Sequence, residues 1–225
     1  MSDPNLESMP ARIAGRLLDI GAVVLRPDEP FTWTSGIRSP IYCDNRLTIS
    51  HPAIREEIAE GFAALIRRHH PACEVVAGIA TGGIPHAAWV AQKLNLPMAY
   101  VRGKAKEHGK GNRIEGRLAP GQKTVLIEDL VSTGGSSLQA ALAVREEGAE
   151  VLGVLAIFTY QFPEAARAFE EAGIPLRTLT DYGTLIGEAR RRGLIGEREL
   201  ALLEAWRENP REWGGDVRDP RAQDQ

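Results

Sequence analysis

Two adjacent carboxylates, Glu128 and Asp129, follow the apolar run Val125-Leu126-Ile127. Two more apolar residues, Leu130 and Val131, separate them from Ser132-Thr133-Gly134-Gly135-Ser136-Ser137. Paired acids suit a sugar diol or a magnesium ion. A Ser/Thr/Gly turn that opens a helix can hold a phosphate on backbone N–H groups and hydroxyls. The chain has no GxxxxGK[ST] segment, so no P-loop lysine assists that turn. The acids alone would fit a solvated strand end equally well, and the turn directly behind them favours a site. The strand is expected to end at residue 128, where the backbone turns and both carboxylates can face one ligand.

Three other stretches carry candidate chemistry. Residues 102–117, RGKAKEHGKGNRIEGR, hold six Lys/Arg, one His and four Gly against two acids. That composition fits a mobile lid that brings cations to a polyanionic substrate and excludes water on closing. A solvated basic loop is the plainer reading of the same residues. No aromatic is interleaved, so stacking on nucleic-acid bases is not supported. Ala80-Thr81-Gly82-Gly83 follows an apolar run, and its glycines let backbone approach a ligand, or simply make a tight turn. Phe31 to Asn45, FTWTSGIRSPIYCDN, is broken into turns by Gly, Ser and Pro. Its Arg38 could meet an anion, whereas Trp33 and Tyr42 are more commonly core residues.

These stretches need elements to place them. Residues 1–8 read as a loose arm and Ala11 to Ile20 as an amphipathic helix closed by Gly21. Residues 21–50 read as a small cap with strands at FTW and IYC. Ser50 is the expected cap of a helix from Pro52 to His70, whose two terminal histidines are expected to be solvated. From Glu74 onward strands and helices alternate, which argues for a parallel sheet with helices on both faces, an α/β class. The chain divides into an arm, helix and cap (1–50), an α/β core with the mobile loop 102–117 (51–208) and a tail expected to be disordered (209–225).

With 225 residues the chain suffices for one sizeable core. A net charge of −3 gives no case for a general nucleic-acid or membrane surface. The longest apolar run, Val151 to Phe158, is far too short to span a bilayer. Cys43 and Cys73 are expected to be reduced thiols in a cytoplasmic protein. The N-terminal MSDPNLESMP lacks the apolar core of a secretory signal.

VLIEDLVSTGGS resembles the phosphoribosyl-pyrophosphate motif of type I phosphoribosyltransferases. Together with FTWTSGIRSPIYCDNR and YVRGKAKEHGKGNRIEG it is similar to orotate phosphoribosyltransferases, over about residues 10 to 210. The resemblance implies the type I fold and a reaction between phosphoribosyl pyrophosphate (PRPP) and orotate. It implies Glu128 and Asp129 on the ribose hydroxyls and the turn from Leu130 and Val131 through Ser132, Thr133, Gly134, Gly135 and Ser136 around the 5′-phosphate. It puts Arg102, Lys106 and His108 on the pyrophosphate, with Lys106, His108 and Asp129 as catalytic residues. It implies Ser132 and Tyr42 on orotate, magnesium as cofactor with no metal ligand assigned in this chain, and a homodimer whose 102–117 loop acts in trans. It also implies a non-proline cis peptide near Ala80-Thr81. Neither nucleic acid nor membrane is an expected partner.

This sequence departs from better-known members at several cations. Thr34 and Gly103 stand where those have lysines, Thr81-Gly82 replaces Tyr-Lys, Tyr42-Cys43 replaces an aromatic pair, and Tyr160 replaces an arginine. Lys104 and Arg38 are candidates to compensate. Two other readings share some of these residues: a transferase for another base, and a regulator that binds nucleic acid. The second needs a DNA-binding module or a basic face, and neither is visible.

Overall fold

The computed structural model describes residues 4–33, 36–103 and 113–213. Its centre is a six-stranded sheet in the order β10-β9-β8-β5-β6-β7. These strands are β5 (Val75–Ile79), β6 (Met98–Val101), β7 (Ile114–Glu115), β8 (Lys123–Val131), β9 (Glu150–Thr159) and β10 (Leu176–Asp181). All neighbours run parallel except β7, which pairs antiparallel with β6. The apolar runs of β5, β8 and β9 reflect burial on both faces. Along β8, Val125 and Ile127 join the core beneath α1 (Pro4–Asp19), α2 (Pro52–His69) and α3 (Gly83–Leu94). Leu126 and Val131 join the core beneath α4 (Gly135–Glu146) and α5 (Pro163–Glu171). The α/β class and the two helical layers are as the alternation predicts.

The cap stands apart from this sheet. β1 (Val23–Leu25) pairs with β4 (Ile41–Cys43), and β2 (Phe31–Thr32) pairs with β3 (Arg38–Ser39). A 3₁₀ turn at Asn45–Ser50 leads into α2. The remaining helices are α6 (Tyr182–Arg191) and α7 (Glu197–Glu208). Trp206 of α7 is fully buried among Trp33, Tyr160, Phe162 and Tyr182, and its indole N–H donates to the Arg38 carbonyl at 3.0 Å. The C-terminal helix is thereby bonded to the cap.

Several boundaries differ from the sequence reading, each for a physical reason. α1 begins at Pro4 rather than Ala11, so most of the expected arm is helical, and Met9 is buried against the chain at Gly61. His51, not Ser50, is the N-cap of α2, and it makes no side-chain cap bond; Pro at the first helical positions already removes one donor. His70 is not solvated. It is 8% exposed, packs against Gly153, and its Nε2 has no hydrogen-bond partner. The basic 102–117 stretch contains β7, so its C-terminal arm is strand-paired to β6. Residues 209–213 form a turn in which Trp213 packs against the core. β8 does not end at residue 128. It runs to Val131 because β9 accompanies it as far as Thr159.

Candidate active site

Both acids lie within β8. Glu128 reaches the start of α4, where it meets Ser137, while Asp129 lies beside the 80–83 loop and the cap turn at Asn45. Glu128 is 6% exposed. Its Oε1 accepts from the Asp129 N–H at 3.0 Å and its Oε2 accepts from the Ser137 hydroxyl at 2.9 Å. Burial raises the Glu128 carboxyl above its ordinary range, and the neighbouring Asp129 adds to the rise. The carboxylate of half-buried Asp129 instead lies over Gly82. The two carboxyls remain neighbours, Asp129 acting directly on Glu128. Asp129 lies beside Gly82, and Glu128 ties β8 to the start of α4.

Gly82 has the close-approach role its loop suggested, since a Cβ there would collide with the Asp129 carboxylate. The adjoining Ala80-Thr81 peptide is cis, as the resemblance implies. The acidic motif and the 80–83 loop thus meet, although 46 residues separate Gly82 from Glu128.

Behind the acids, the chain leaves β8 at Val131 and enters α4 at Gly135. Gly134 sits at φ +82°, and a Cβ on it would lie 3.0 Å from the Phe169 ring. Glycine there permits both the turn and the packing of α5 beneath it. Thr133, Gly135 and Ser136 are exposed, at a helix N-terminus whose first N–H groups lack intrahelical partners. That is the geometry of an anion cradle.

Beside the cradle opens a cleft of about 480 Å³ lined by Phe31, Thr32, Trp33, Tyr42, Cys43, Leu130, Ser132 and Tyr160. Ser132 and Tyr42, the two residues matched to the base, line this one cleft. Tyr42 is 45% exposed and its ring centroid lies 5.7 Å from that of Phe31. Trp33 serves the core and the cleft at once, packing on Tyr160 at 5.5 Å between centroids. Tyr160 is buried in the cleft floor, and burial raises its hydroxyl above the ordinary value. Cys43 and Cys73 are free thiols, both raised by burial.

Arg102 follows β6 and its Nη1 lies 3.3 Å from Glu115 Oε1 on β7. Arg113 donates to the Arg102 carbonyl, also at 3.3 Å. Lys106 and His108, together with Lys104 and Thr34, lie outside the described residues. Arg38 is in β3 and does not line the cleft. Among the described residues no group of three or more His, Cys, Asp or Glu is placed to hold a metal. No helix among them is long and apolar enough to cross a membrane.

Sequence reasoning missed Asn45, Thr48 and His86, and placed Ser137 in the phosphate turn, whereas its hydroxyl bonds Glu128. Asn45 closes the quoted cap segment, yet nothing in its spacing signals that its carboxamide reaches Asp129. Ser137 could have been found from helical geometry, because it faces the strand that the turn leaves.

The phosphoribosyl transferase domain family matches residues 49–170. The orotate phosphoribosyltransferase of Enterococcus faecalis is 60% identical over 203 residues, which is 90% of this chain and 97% of that protein. The chain belongs to the orotate phosphoribosyltransferase family. The member from Bacillus caldolyticus is 59% identical over 202 residues, 90% of this chain and 98% of its own. Among solved structures, the Aeropyrum pernix orotate phosphoribosyltransferase gives a TM-score of 0.71 at 27% identity, over 82% of this chain and 99% of that one. The Mycobacterium tuberculosis H37Rv orotate phosphoribosyltransferase, solved in complex with 5-phospho-alpha-D-ribosyl 1-diphosphate, gives 0.61 at 26% identity, over 78% of this chain and 98% of that one. The chain is thus a pentosyltransferase with the type I fold, as its motifs imply.

Proposed function

We propose that this protein transfers the phosphoribosyl group of PRPP to orotate, giving orotidine 5′-phosphate and pyrophosphate in pyrimidine biosynthesis. The observation that carries the reading is Ser132. It lines the aromatic cleft and directly precedes Thr133 of the phosphate cradle, so a ribose between the two would present its anomeric carbon to a base in the cleft.

The bond from C1′ to the pyrophosphate oxygen breaks and its electron pair leaves with pyrophosphate. The ring nitrogen of orotate supplies the pair for the new C1′–N bond, with inversion, and its proton passes to the departing pyrophosphate or to solvent. Little covalent chemistry falls to the protein, so its task is positioning and charge stabilisation. Thr133, Gly134, Gly135 and Ser136 hold the 5′-phosphate on the N-terminus of α4, with Leu130, Val131 and Ser132 leading into the turn. Asp129 takes the ribose hydroxyls, and Glu128 fixes the cradle through Ser137. Phe31, Trp33 and Tyr42 flank the base. Arg102 meets the pyrophosphate, and Lys106 and His108 stabilise the leaving charge.

Magnesium fits this donor set. A single hard carboxylate, Asp129, borders a phosphate cradle, and magnesium commonly binds through one or two carboxylates plus substrate phosphates. When bound it would neutralise charge on the departing pyrophosphate. The working form is a cytoplasmic homodimer in which each 102–117 loop closes over its neighbour's site.

Purified protein mixed with orotate, PRPP and magnesium should consume the ultraviolet absorbance of orotate. Unchanged absorbance with fresh substrates would sink the reading, and turnover of another base in a panel would redirect it.

A further inference from the structure

The ribose-facing acid lies where β8 keeps β9 on one side but has lost β5 on the other. The β5–β8 register ends at Gly78 opposite Ile127, four residues short of the end of β8. The β8–β9 register passes from Glu128↔Ala156 to Leu130↔Phe158, skipping Asp129. Asp129 thus has no strand partner on the side where β5 has stopped. Its N–H is taken by Glu128, and its carbonyl accepts from Asn45 Nδ2 at 2.7 Å. Asn45 is 84 residues away in sequence and 1% exposed.

The Asn45 carboxamide is itself held at both ends. Its Oδ1 accepts from the Cys43 thiol at 3.2 Å, and Cys43 lines the cleft. Its backbone carbonyl accepts from the Thr48 hydroxyl at 2.6 Å. That commits the one hydroxyl hydrogen of Thr48, so His86 Nε2, 3.2 Å from Thr48 Oγ1, must be the donor to it. His86 Nδ1 is then the bare nitrogen, and it has no partner. His86 is fully buried in the first turn of α3, directly behind the 80–83 loop. One buried polar chain therefore joins the base cleft, the cap turn, the ribose-facing strand and the helix behind the 80–83 loop.

We propose that Asn45 is a positioning residue for the transfer reaction, setting the Asp129 carboxylate through its bond to the Asp129 carbonyl. This rests on the reading of Asp129 as the ribose ligand. The carboxamide is suited to the task because its nitrogen only donates and its oxygen only accepts. It can satisfy the Asp129 carbonyl and the Cys43 thiol together, which a carboxylate cannot. Any shift of the cap or of α3 is transmitted to the acid through this bond.

The test compares wild type with Asn45→Ala and Asn45→Asp, below the unfolding temperature of each. Steady-state kinetics are measured with each substrate varied, and calorimetric titration of PRPP gives affinity without turnover. Asn45→Ala should weaken PRPP binding and raise its KM about tenfold, the equivalent of one lost hydrogen bond. The KM for orotate should change less. At neutral pH Asn45→Asp should be the more impaired, because a carboxylate would face the Asp129 carbonyl. Its kcat/KM for PRPP should recover on acidification as the carboxyl gains a proton and can donate, whereas Asn45→Ala should show no such recovery. A merely structural role would lower the unfolding temperature and leave these constants alone. Should Asn45→Asp not fold, Asn45→Ser, which keeps a small donor, should lie between wild type and Asn45→Ala in PRPP affinity. PRPP constants for Asn45→Ala within twofold of wild type, or an Asn45→Asp pH profile parallel to wild type, would overturn the inference alone. A wild-type protein that neither binds PRPP nor consumes orotate would overturn the reading beneath it.

Discussion

Glu128 and Asp129 are neighbours in sequence and in space, but their contacts differ. Both Glu128 oxygens accept hydrogen bonds inside the protein, one from Ser137 and one from the Asp129 N–H. Burial and the adjacent Asp129 charge favour the neutral carboxyl. Glu128→Gln therefore resembles the neutral form that burial favours. Its amide oxygen can keep the bond from the Asp129 N–H, and its amide nitrogen can bond the Ser137 oxygen. We expect a stability change below about 1 kcal/mol and only a modest loss of turnover. Asp129→Asn removes the charge proposed to face the ribose and should cost on the order of 100-fold in kcat/KM for PRPP. Measuring both variants under the same conditions checks the division of labour. Equal losses would mean that Glu128 swings out to the substrate.

The elements were readable wherever a local pattern decides them. The parallel core, α2, α4 and β9 follow from apolar runs and punctuation. What escaped depended on partners distant in sequence. The end of β8 looked like a terminus because acids begin there, yet β9 carries it three residues further. β7 was hidden inside a basic, glycine-rich stretch, because its pairing with β6 is what makes Ile114–Glu115 a strand. His70 read as a solvated helix end, but β9 covers it through Gly153. His86 carried no signal at all on α3. Its burial has a consequence for acid stability. Desolvation lowers its pKa from 6.5 to about 4. Between those values the unfolded chain is protonated and the folded one is not. Stability from this group is therefore complete above pH 6.5 and falls as the pH drops toward 4, by up to about 3 kcal/mol. His86→Gln should flatten that part of the curve of unfolding temperature against pH. A curve that keeps the wild-type slope would reassign the acid sensitivity to another group.

At the scale of the whole molecule, the cap is anchored by the far end of the chain. Trp206 of α7 packs against Trp33 and Tyr160, both cleft residues, and bonds the Arg38 carbonyl. Trp206→Phe removes that indole donor and should cost about 1 kcal/mol. The KM for orotate should rise more than that for PRPP, because Trp33 and Tyr160 line the base cleft, whereas the proposed phosphate cradle is the N-terminus of α4. Unequal effects on the two substrates, read by steady-state kinetics, distinguish this from general loosening.

The whole molecule also poses the question of which chain's loop serves which site. The described residues include the proposed ribose acid, phosphate cradle and base cleft, while the proposed leaving-group cations, Lys106 and His108, sit on the 102–117 stretch. If that stretch acts on its own site, then Lys106→Ala chains and Asp129→Asn chains are both inactive, and any mixture of them stays inactive. If it acts on the neighbour, a mixed dimer has one complete site. Its Lys106→Ala chain contributes the intact acid, and its Asp129→Asn chain contributes the intact loop. Random reassortment of equal amounts makes half of the dimers mixed, each with one working site of two, so about one quarter of wild-type activity should return. The measurement is activity after the two inactive proteins are co-expressed or unfolded and refolded together, with each refolded alone as control. Recovery near one quarter establishes the loop in trans, and no recovery despite mixed dimers resolved by differential tags places it in cis.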